Sequence, residues 1–410
     1  MNAETFKQNF TADDSTDKES LDNVLSIIED VKQNKDDALK KYTAQFDGQK
    51  IEDFKVPAEK LKNSFDNLSI DEQNSLILIK ERIADYQQSI KYKDFEDGEF
   101  SYVYHPLERI GIYIPGGTAL YPSSVLMTAV PATAAGVGNI VAVTPTFTED
   151  NITFAALYLA GVTEVYTVGG AQAIAALAYG TESIKKVDKI VGPGNKYVAL
   201  AKKQVFGDVG IDMIAGPSEI LLYVDESADY TAVAYDIFAQ AEHDVNARTF
   251  LLADNQEVIE GIQSEVDRLI SSQVRADVIR ESLKNNHYQI ADTREALIDV
   301  INFIAPEHVS IQHADEQNIS REIRYAGAVF IGKYSPEAIG DYAAGPSHVL
   351  PTNQTGRFSH GLNVNDFLTS HAVINLKEGT YNNIAEAAKT IAQKEGLDAH
   401  YESLNIRTER

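Results

Sequence analysis

Gln240 and His243 stand three residues apart in Gln240-Ala241-Glu242-His243, and on a helix that spacing places both side chains on one face. An amide oxygen and an imidazole nitrogen are donors that zinc or a neighbouring divalent ion accepts, and Asp341 and His400 offer further donors of the same kind. An isolated Gln-x-x-His occurs on many surface helices, Asp341 reads equally as a turn acid, and His400 as an exposed tail residue. Glu307 and His308 adjoin in Ala305-Pro306-Glu307-His308, where Pro306 restricts the backbone just before an apolar run. A carboxylate beside an imidazole can supply a water activator and a general base, each contributing roughly 10²–10⁴-fold in rate. A capping Glu and a satisfied core His is the plainer local reading. His348, in Gly345-Pro346-Ser347-His348, follows the same logic.

Three glycine-bearing turns add a second chemistry: Pro115-Gly116-Gly117, Gly169-Gly170-Ala171-Gln172 and Gly192-Pro193-Gly194-Asn195. Glycine lets backbone amides approach a phosphate, and a following helix offers its positive end. Glycines also merely end strands, but three such turns in one sheet point to a dinucleotide. The Gly-x-Gly-x-x-Gly fingerprint is missing, which makes this an atypical NAD site. Gln172 and Asn195 are placed to touch ribose or phosphate.

The elements that must carry these residues follow from the apolar pattern. Short runs rich in Val and Ile at 110–114, 140–143, 165–168 and 189–191 alternate with helical segments near 122–135, 150–160, 171–180 and 195–206. That rhythm predicts a parallel sheet with helices on both faces. It resumes after residue 219, with strands at 220–224 and 249–253 and near 288–291, 309–312 and 328–331, and a helix over 227–243. The fold class is therefore α/β, with two Rossmann-like parallel-sheet domains. A helical region at 1–107 precedes an NAD-binding domain at 108–218. A second α/β domain at 219–356 bears the metal and catalytic residues, and a small tail spans 357–410. In the first region Leu21, Val24, Ile27, Ile28 and Val31 form one buried stripe, and 67–93 reads as a long amphipathic helix. No catalytic constellation appears there, so it reads as scaffold, packing on the second α/β domain. The tail has one helix, near 382–395, and is too small to bury a core alone.

Composition sets the outer bounds. The 410 residues carry a net charge of -25, which disfavours nucleic acid and anionic membranes as partners. With no cysteine, a thiolate nucleophile, an iron–sulfur cluster and a cysteine zinc site are all excluded. Residues 1–10 lack the basic start and apolar run of a signal peptide, so the cytoplasm is the expected compartment.

In order along the chain, IGIYIPGG, VGGAQAIAALAYG, VDKIVGPGNKYV, IDMIAGPSE, QAEHD, APEHV and GAVFIGKYSPEAIGDYAAGPSHVLPT, with GRFSHGLNVNDF and LDAH in the tail, resemble histidinol dehydrogenases. The resemblance implies NAD at Tyr113, Gln172 and Asn195. It implies zinc held by Gln240, His243 and Asp341 of one subunit and by His400 of the partner subunit. Substrate contacts would come from Ser218, Gln240, His243, His308, Asp341, His348, Glu395 and His400, with Glu307 and His308 as the catalytic pair. It further implies a homodimer with shared active sites and a domain-swapped tail. Ala305 departs from the family, which commonly has Gly there.

On this reading L-histidinol is oxidised through L-histidinal to L-histidine with two NAD, in histidine biosynthesis. Without cysteine no thiohemiacetal can form, so the aldehyde must be hydrated, with Glu307 activating water. The alternatives are a zinc- and NAD-dependent dehydrogenase of another small hydroxy compound, a metal-dependent hydrolase, which leaves the glycine turns unexplained, and a non-catalytic metal-linked dimer, which leaves Glu307 and His308 idle.

Overall fold

A computed structural model describes residues 1–10, 18–116, 120–145 and 152–407. Gly117 of the first glycine turn lies outside the described residues. Four helices come first: α1 (Ala3–Asn9), α2 (Lys18–Phe46), α3 (Ala58–Asp66) and α4 (Ile70–Ile90). The predicted stripe is the buried face of α2, with Val24, Ile27, Ile28 and Val31 covered. This helix bends at Lys35, where φ is +49°. Beyond the bend, Asp36 accepts hydrogen bonds from the backbone N–H and the hydroxyl of Ser183. After α4 the chain turns to strands, β1 (Phe95–Asp97) and β2 (Phe100–Pro106), so the region up to 107 is not helical throughout.

The first parallel sheet takes β3 (Arg109–Tyr113), α5 (Pro122–Ala135), β4 (Asn139–Thr144), α6 (Ile152–Leu159), β5 (Glu164–Thr167), α7 (Gly170–Tyr179), β6 (Lys189–Val191), α8 (Lys196–Val205) and β7 (Gly210–Ile211). Its strands run in the order β5-β4-β3-β6-β7, all parallel. The chain then crosses to a second sheet. This comprises β8 (Glu219–Val224), α9 (Tyr230–Ala241), β9 (Arg248–Ala253), α10 (Gln256–Leu269), α11 (Ala276–Asn286), β10 (His287–Ala291), α12 (Arg294–Ile304), β11 (His308–Gln312), α13 (Glu316–Glu322), β12 (Ala328–Ile331) and α14 (Glu337–Tyr342). Its order, β10-β9-β8-β11-β12, repeats the first. In each, the first strand is central and the winding reverses beside it, which is the Rossmann arrangement.

Both sheets are covered on two faces. Alternate residues of β8 illustrate the period of two: Leu221 and Tyr223 enter one apolar cluster, Ile220, Leu222 and Val224 the other. In the first sheet, Val141 and Val143 meet Ile174 and Leu177 of α7, and the α2 stripe closes over the same cluster. The helices before residue 107 were expected on the second sheet's domain, and α1 is there, against α12 and β10, while α4 reaches that domain through Arg82, which donates to the Ala343 and Ala344 carbonyls. Instead α2 packs on α7 and α8, α3 on α6 and α4 on α5. The physical reason is the surface of α7, whose alanines let the stripe approach closely.

A separate compact unit joins residues 91–106 to residues 368–410. There β13 (Leu368–Ile374) pairs antiparallel with β2, and β1 pairs with the other edge of β2. Two helices follow, α15 (Glu378–Lys394) and α16 (Asp398–Asn405), packed on each other. The tail, expected to be too small to bury a core alone, shares its sheet with a segment from far earlier in the chain. Among the described residues no helix is long and apolar enough to cross a membrane.

Candidate active site

The carboxyl edge of the first sheet opens into a cavity of about 950 Å³, bounded by Tyr113, Gly116, Gly170, Gln172 and Asn195. Two of the turns that shape it require glycine. Gly170 has φ +66°, and a Cβ there would fall 2.6 Å from the Gln172 amide oxygen; Gly192 has φ +109°, and its Cβ would fall 2.3 Å from the Tyr113 carbonyl oxygen. Tyr113, at the end of β3, is buried, and its hydroxyl accepts the Gly170 N–H at 3.0 Å. Burial raises its phenol to about 12, so it stays a neutral donor. Asn195 caps α8, its side-chain oxygen accepting from the N–H groups of Tyr197 and Val198. Gln172 is buried, with an amide oxygen that no protein donor meets. The third turn is held from beneath. Gly192 N–H donates to Asp212 at 2.7 Å, and buried Lys202 donates to both Asp212 and the Gly192 carbonyl.

The candidate acid–base pair, Glu307 and His308, sits at the opposite ends of the second sheet's strands, by the amino ends of β8 and β11. Because these strands are neighbours, one residue of β8 meets both members of the pair. Glu219 donates its N–H to the Glu307 carboxylate at 2.9 Å and accepts a hydrogen bond at its carbonyl from His308 Nδ1, also at 2.9 Å. A carbonyl only accepts, so Nδ1 carries the proton and Nε2 is left free as a base. Burial lowers His308 to about 4, keeping the imidazole neutral at pH 7. Burial pushes Glu307 well above the ordinary carboxylate range, reinforced by the charges of Glu219, Glu337 and Asp341. The Glu219 side chain is itself buried, raised to about 7 by desolvation, and accepts from Arg248 and the Asn353 N–H.

Asp341, on short helix α14, gathers the remaining groups. Its carboxylate lies 4.0 Å from His243 Nε2 and 3.8 Å from His348 Nδ1, and its carbonyl accepts from that Nδ1 at 3.1 Å. His243 follows the last turn of α9, one turn after Gln240, whose buried amide oxygen has no protein partner. Donor atoms of His308, Glu337 and Asp341 lie within 4.8 Å of one another, a spacing that could hold a metal ion. Glu337 Oε2 is also buried without a partner. The two orphaned oxygens, with the Asp341 carboxylate and the His243 imidazole, form a cysteine-free oxygen and nitrogen donor set that fits zinc.

The structure thus brings Glu307, His308, Asp341, His243 and His348 together, with Gln240 on the adjoining helix turn. A cavity of about 160 Å³ is lined by Ser218, Glu307 and His348 and by Gly192 and Gly194 of the third glycine turn, which sets that turn beside the candidate pair. Glu395, at the C-cap of α15, and His400, on α16, belong to the separate unit and are exposed there. Sequence reasoning missed Glu219, Glu337, Lys202 and Asp212. Only Glu337 carried a signal, being four residues before Asp341 on one helix face.

Residues 11–408 match the family model described as histidinol dehydrogenase. The histidinol dehydrogenase of Staphylococcus epidermidis strain RP62A is 49% identical, covering 99% of this chain and 100% of its own. That of Staphylococcus aureus strain MRSA252 is 48% identical over 99% of each chain. The crystal structure of the histidinol dehydrogenase from Elizabethkingia anophelis superposes with a TM-score of 0.94 at 32% identity, covering 99% of this chain and 96% of that one. An acetylating aldehyde dehydrogenase from Geobacillus thermoglucosidasius shares the fold alone, with a TM-score of 0.51 at 14% identity, covering 91% of this chain and 93% of its own.

Proposed function

The chain belongs to the histidinol dehydrogenase family, and from that membership we propose that it oxidises L-histidinol through L-histidinal to L-histidine with two NAD, in the cytoplasm, as a zinc-dependent homodimer. The observation that carries this reading is the joint hold of the Glu219 backbone on Glu307 and His308, beside a metal-competent cluster and a glycine-lined cavity.

Bound NAD supplies a hydride acceptor twice per substrate, and bound zinc supplies a fixed anchor for the substrate's amine and imidazole nitrogens. Gln240, His243 and Asp341 would hold the metal, with His400 of the partner subunit as the fourth ligand; of the His308–Glu337–Asp341 cluster only Asp341 would then bind it, leaving His308 free as a base. Tyr113, Gln172 and Asn195 would contact the cofactor, consistent with the orphaned amide oxygen of Gln172. Ser218, His348 and Glu395 would complete the substrate contacts together with Gln240, His243, His308, Asp341 and His400. Neutral His308 takes the alcohol proton at Nε2, because Nδ1 is committed to the Glu219 carbonyl. Glu307, its proton affinity raised by burial, then draws a proton from the water that hydrates the aldehyde. With no cysteine in the chain, water is the nucleophile this second oxidation requires.

NADH absorbance with purified protein, L-histidinol and excess NAD tests the assignment. Two NADH per histidinol, lost with a chelator and restored by zinc, are expected. No NADH from metal-loaded protein, with turnover of another small alcohol, would transfer the activity to that compound.

A further inference from the structure

The cofactor cavity has a wall that its own sheet does not supply. The last turn of α2 and the residue after it close one side, bringing Tyr42, Phe46 and Asp47 to the space bounded by Tyr113 and Gln172. Asp47 is pinned there by its N–H, which donates to the Thr43 carbonyl at 3.0 Å. Its Oδ2 is buried and accepts no hydrogen bond from the protein. Among the described residues lining the cavity Asp47 is the only acid, and none is Lys or Arg. Beside it the rings of Tyr42 and Phe46, 5.8 Å apart and 9° from parallel, give the cavity an aromatic wall of the kind an adenine stacks against.

In sheets of this strand order the adenosine half of a dinucleotide lies over the strands wound before the switch point. An acid after the second strand usually takes its ribose hydroxyls. Here that strand, β4, ends in Thr144-Pro145, and residues 109–148 contain no Asp or Glu at all. The next acids, Glu149 and Asp150, lie outside the described residues. A buried carboxylate oxygen without a donor is costly unless a ligand provides one.

We propose that Asp47 receives the adenosine ribose hydroxyls of NAD and excludes a 2′-phosphate, so that the end of α2 sets the preference for NAD over NADP. This rests on the cavity being the NAD site. Two vicinal hydroxyls donate to a carboxylate, whereas a 2′-phosphate would press like charge against Asp47 with no cation among the described lining residues to offset it.

Titration of the metal-loaded full chain with NAD and with NADP, by calorimetry and without substrate, tests the assignment in Asp47→Asn and Asp47→Ser. Circular dichroism and thermal unfolding check that the fold is kept. Wild type should bind NAD and strongly reject NADP. In both variants NAD should weaken about tenfold, as expected for loss of a charged hydrogen-bond acceptor, and the ratio of NAD to NADP affinity should fall by at least about tenfold. Wild type that binds NAD, with the same ratio in both folded variants, would overturn the role of Asp47 and move it to the acids after β4. Wild type that binds no NAD would instead overturn the cofactor reading on which the role depends.

Discussion

Glu219 serves the site with its backbone and stabilises its surroundings with its side chain. Its N–H and C=O orient an acid and a base simultaneously, so the relative position of Glu307 and His308 is set by strand pairing rather than by side-chain packing. Glu307→Gln keeps the shape and the hydrogen bond from Glu219 but removes the proton acceptor. It should leave oxidation of histidinol to histidinal nearly intact and slow histidinal to histidine by roughly 10²–10⁴-fold. Equal loss in the two half-reactions, measured separately by NADH formation, would show that the two residues do not divide the work this way. Lys202 illustrates a different dependence. It and Asp212 are almost wholly buried, and together they hold the Gly192 turn. Lys202→Met leaves the Asp212 carboxylate without its cation, which should lower unfolding free energy by about 3 kcal/mol and weaken NAD binding. Urea unfolding and direct titration check both parts; unchanged stability would mean that the pair does not support the turn.

Strain and titration belong to single elements. Helix α12 ends at Ala305 with φ +47°, a left-handed C-cap that glycine adopts without steric conflict. Ala305→Gly should raise stability by about 0.5–1 kcal/mol, because relief of a left-handed alanine outweighs the extra freedom of glycine in the unfolded chain. A lower melting temperature would contradict this. At the end of α11, His287 faces two opposed influences: a helix C-terminus favours its cation, and burial disfavours it. Burial wins, holding it at about 4. Thr249 and Gln289 meet its two ring nitrogens in the neutral form. Between pH 4 and 6.5 the unfolded chain therefore binds this proton and the folded chain does not, so stability rises with pH across that window, by on the order of 1 kcal/mol per unit. His287→Gln should flatten that part of the profile in chemical unfolding.

The β-α rhythm was legible because buried parallel strands are Val- and Ile-rich runs closed by Gly or Pro, as in Lys189–Val191 before Gly192. Strands β1, β2 and β13 were not, since they are mostly exposed and their mixed aromatic and polar residues resemble loop. The chemistry-bearing types in the candidate site were legible, from Gln240 to His348. Their supports were not: Glu219, Lys202 and Asp47 act only through partners far away in sequence.

At the scale of the whole molecule, two sheets of one winding order are used at opposite ends. The first offers the carboxyl ends of its strands, where open sheets usually bind ligands, and the second the amino ends, where Glu219 and His308 begin β8 and β11. If His400 reaches the site of the partner subunit, complementation should reveal it. Glu307→Gln and His400→Ala homodimers should each fail to make histidine. Co-refolded together, they should recover about a quarter of wild-type activity, because half the dimers are mixed and each mixed dimer has one intact site. No recovery despite subunit exchange would remove the swap.

The separate unit adds a constraint on timing. The Ser370 hydroxyl donates to the Tyr102 hydroxyl across 268 residues of chain, and β2 has β13 as its second sheet neighbour. At ribosomal rates of roughly 5–20 residues per second, that interval is on the order of fifteen seconds to a minute. During it β2 must emerge and wait with an unpaired edge, so both parallel sheets can be complete before this small sheet closes. The unit therefore closes only after both parallel sheets have been made, and nascent chains stalled before residue 368 should present β2 to chaperones or to one another.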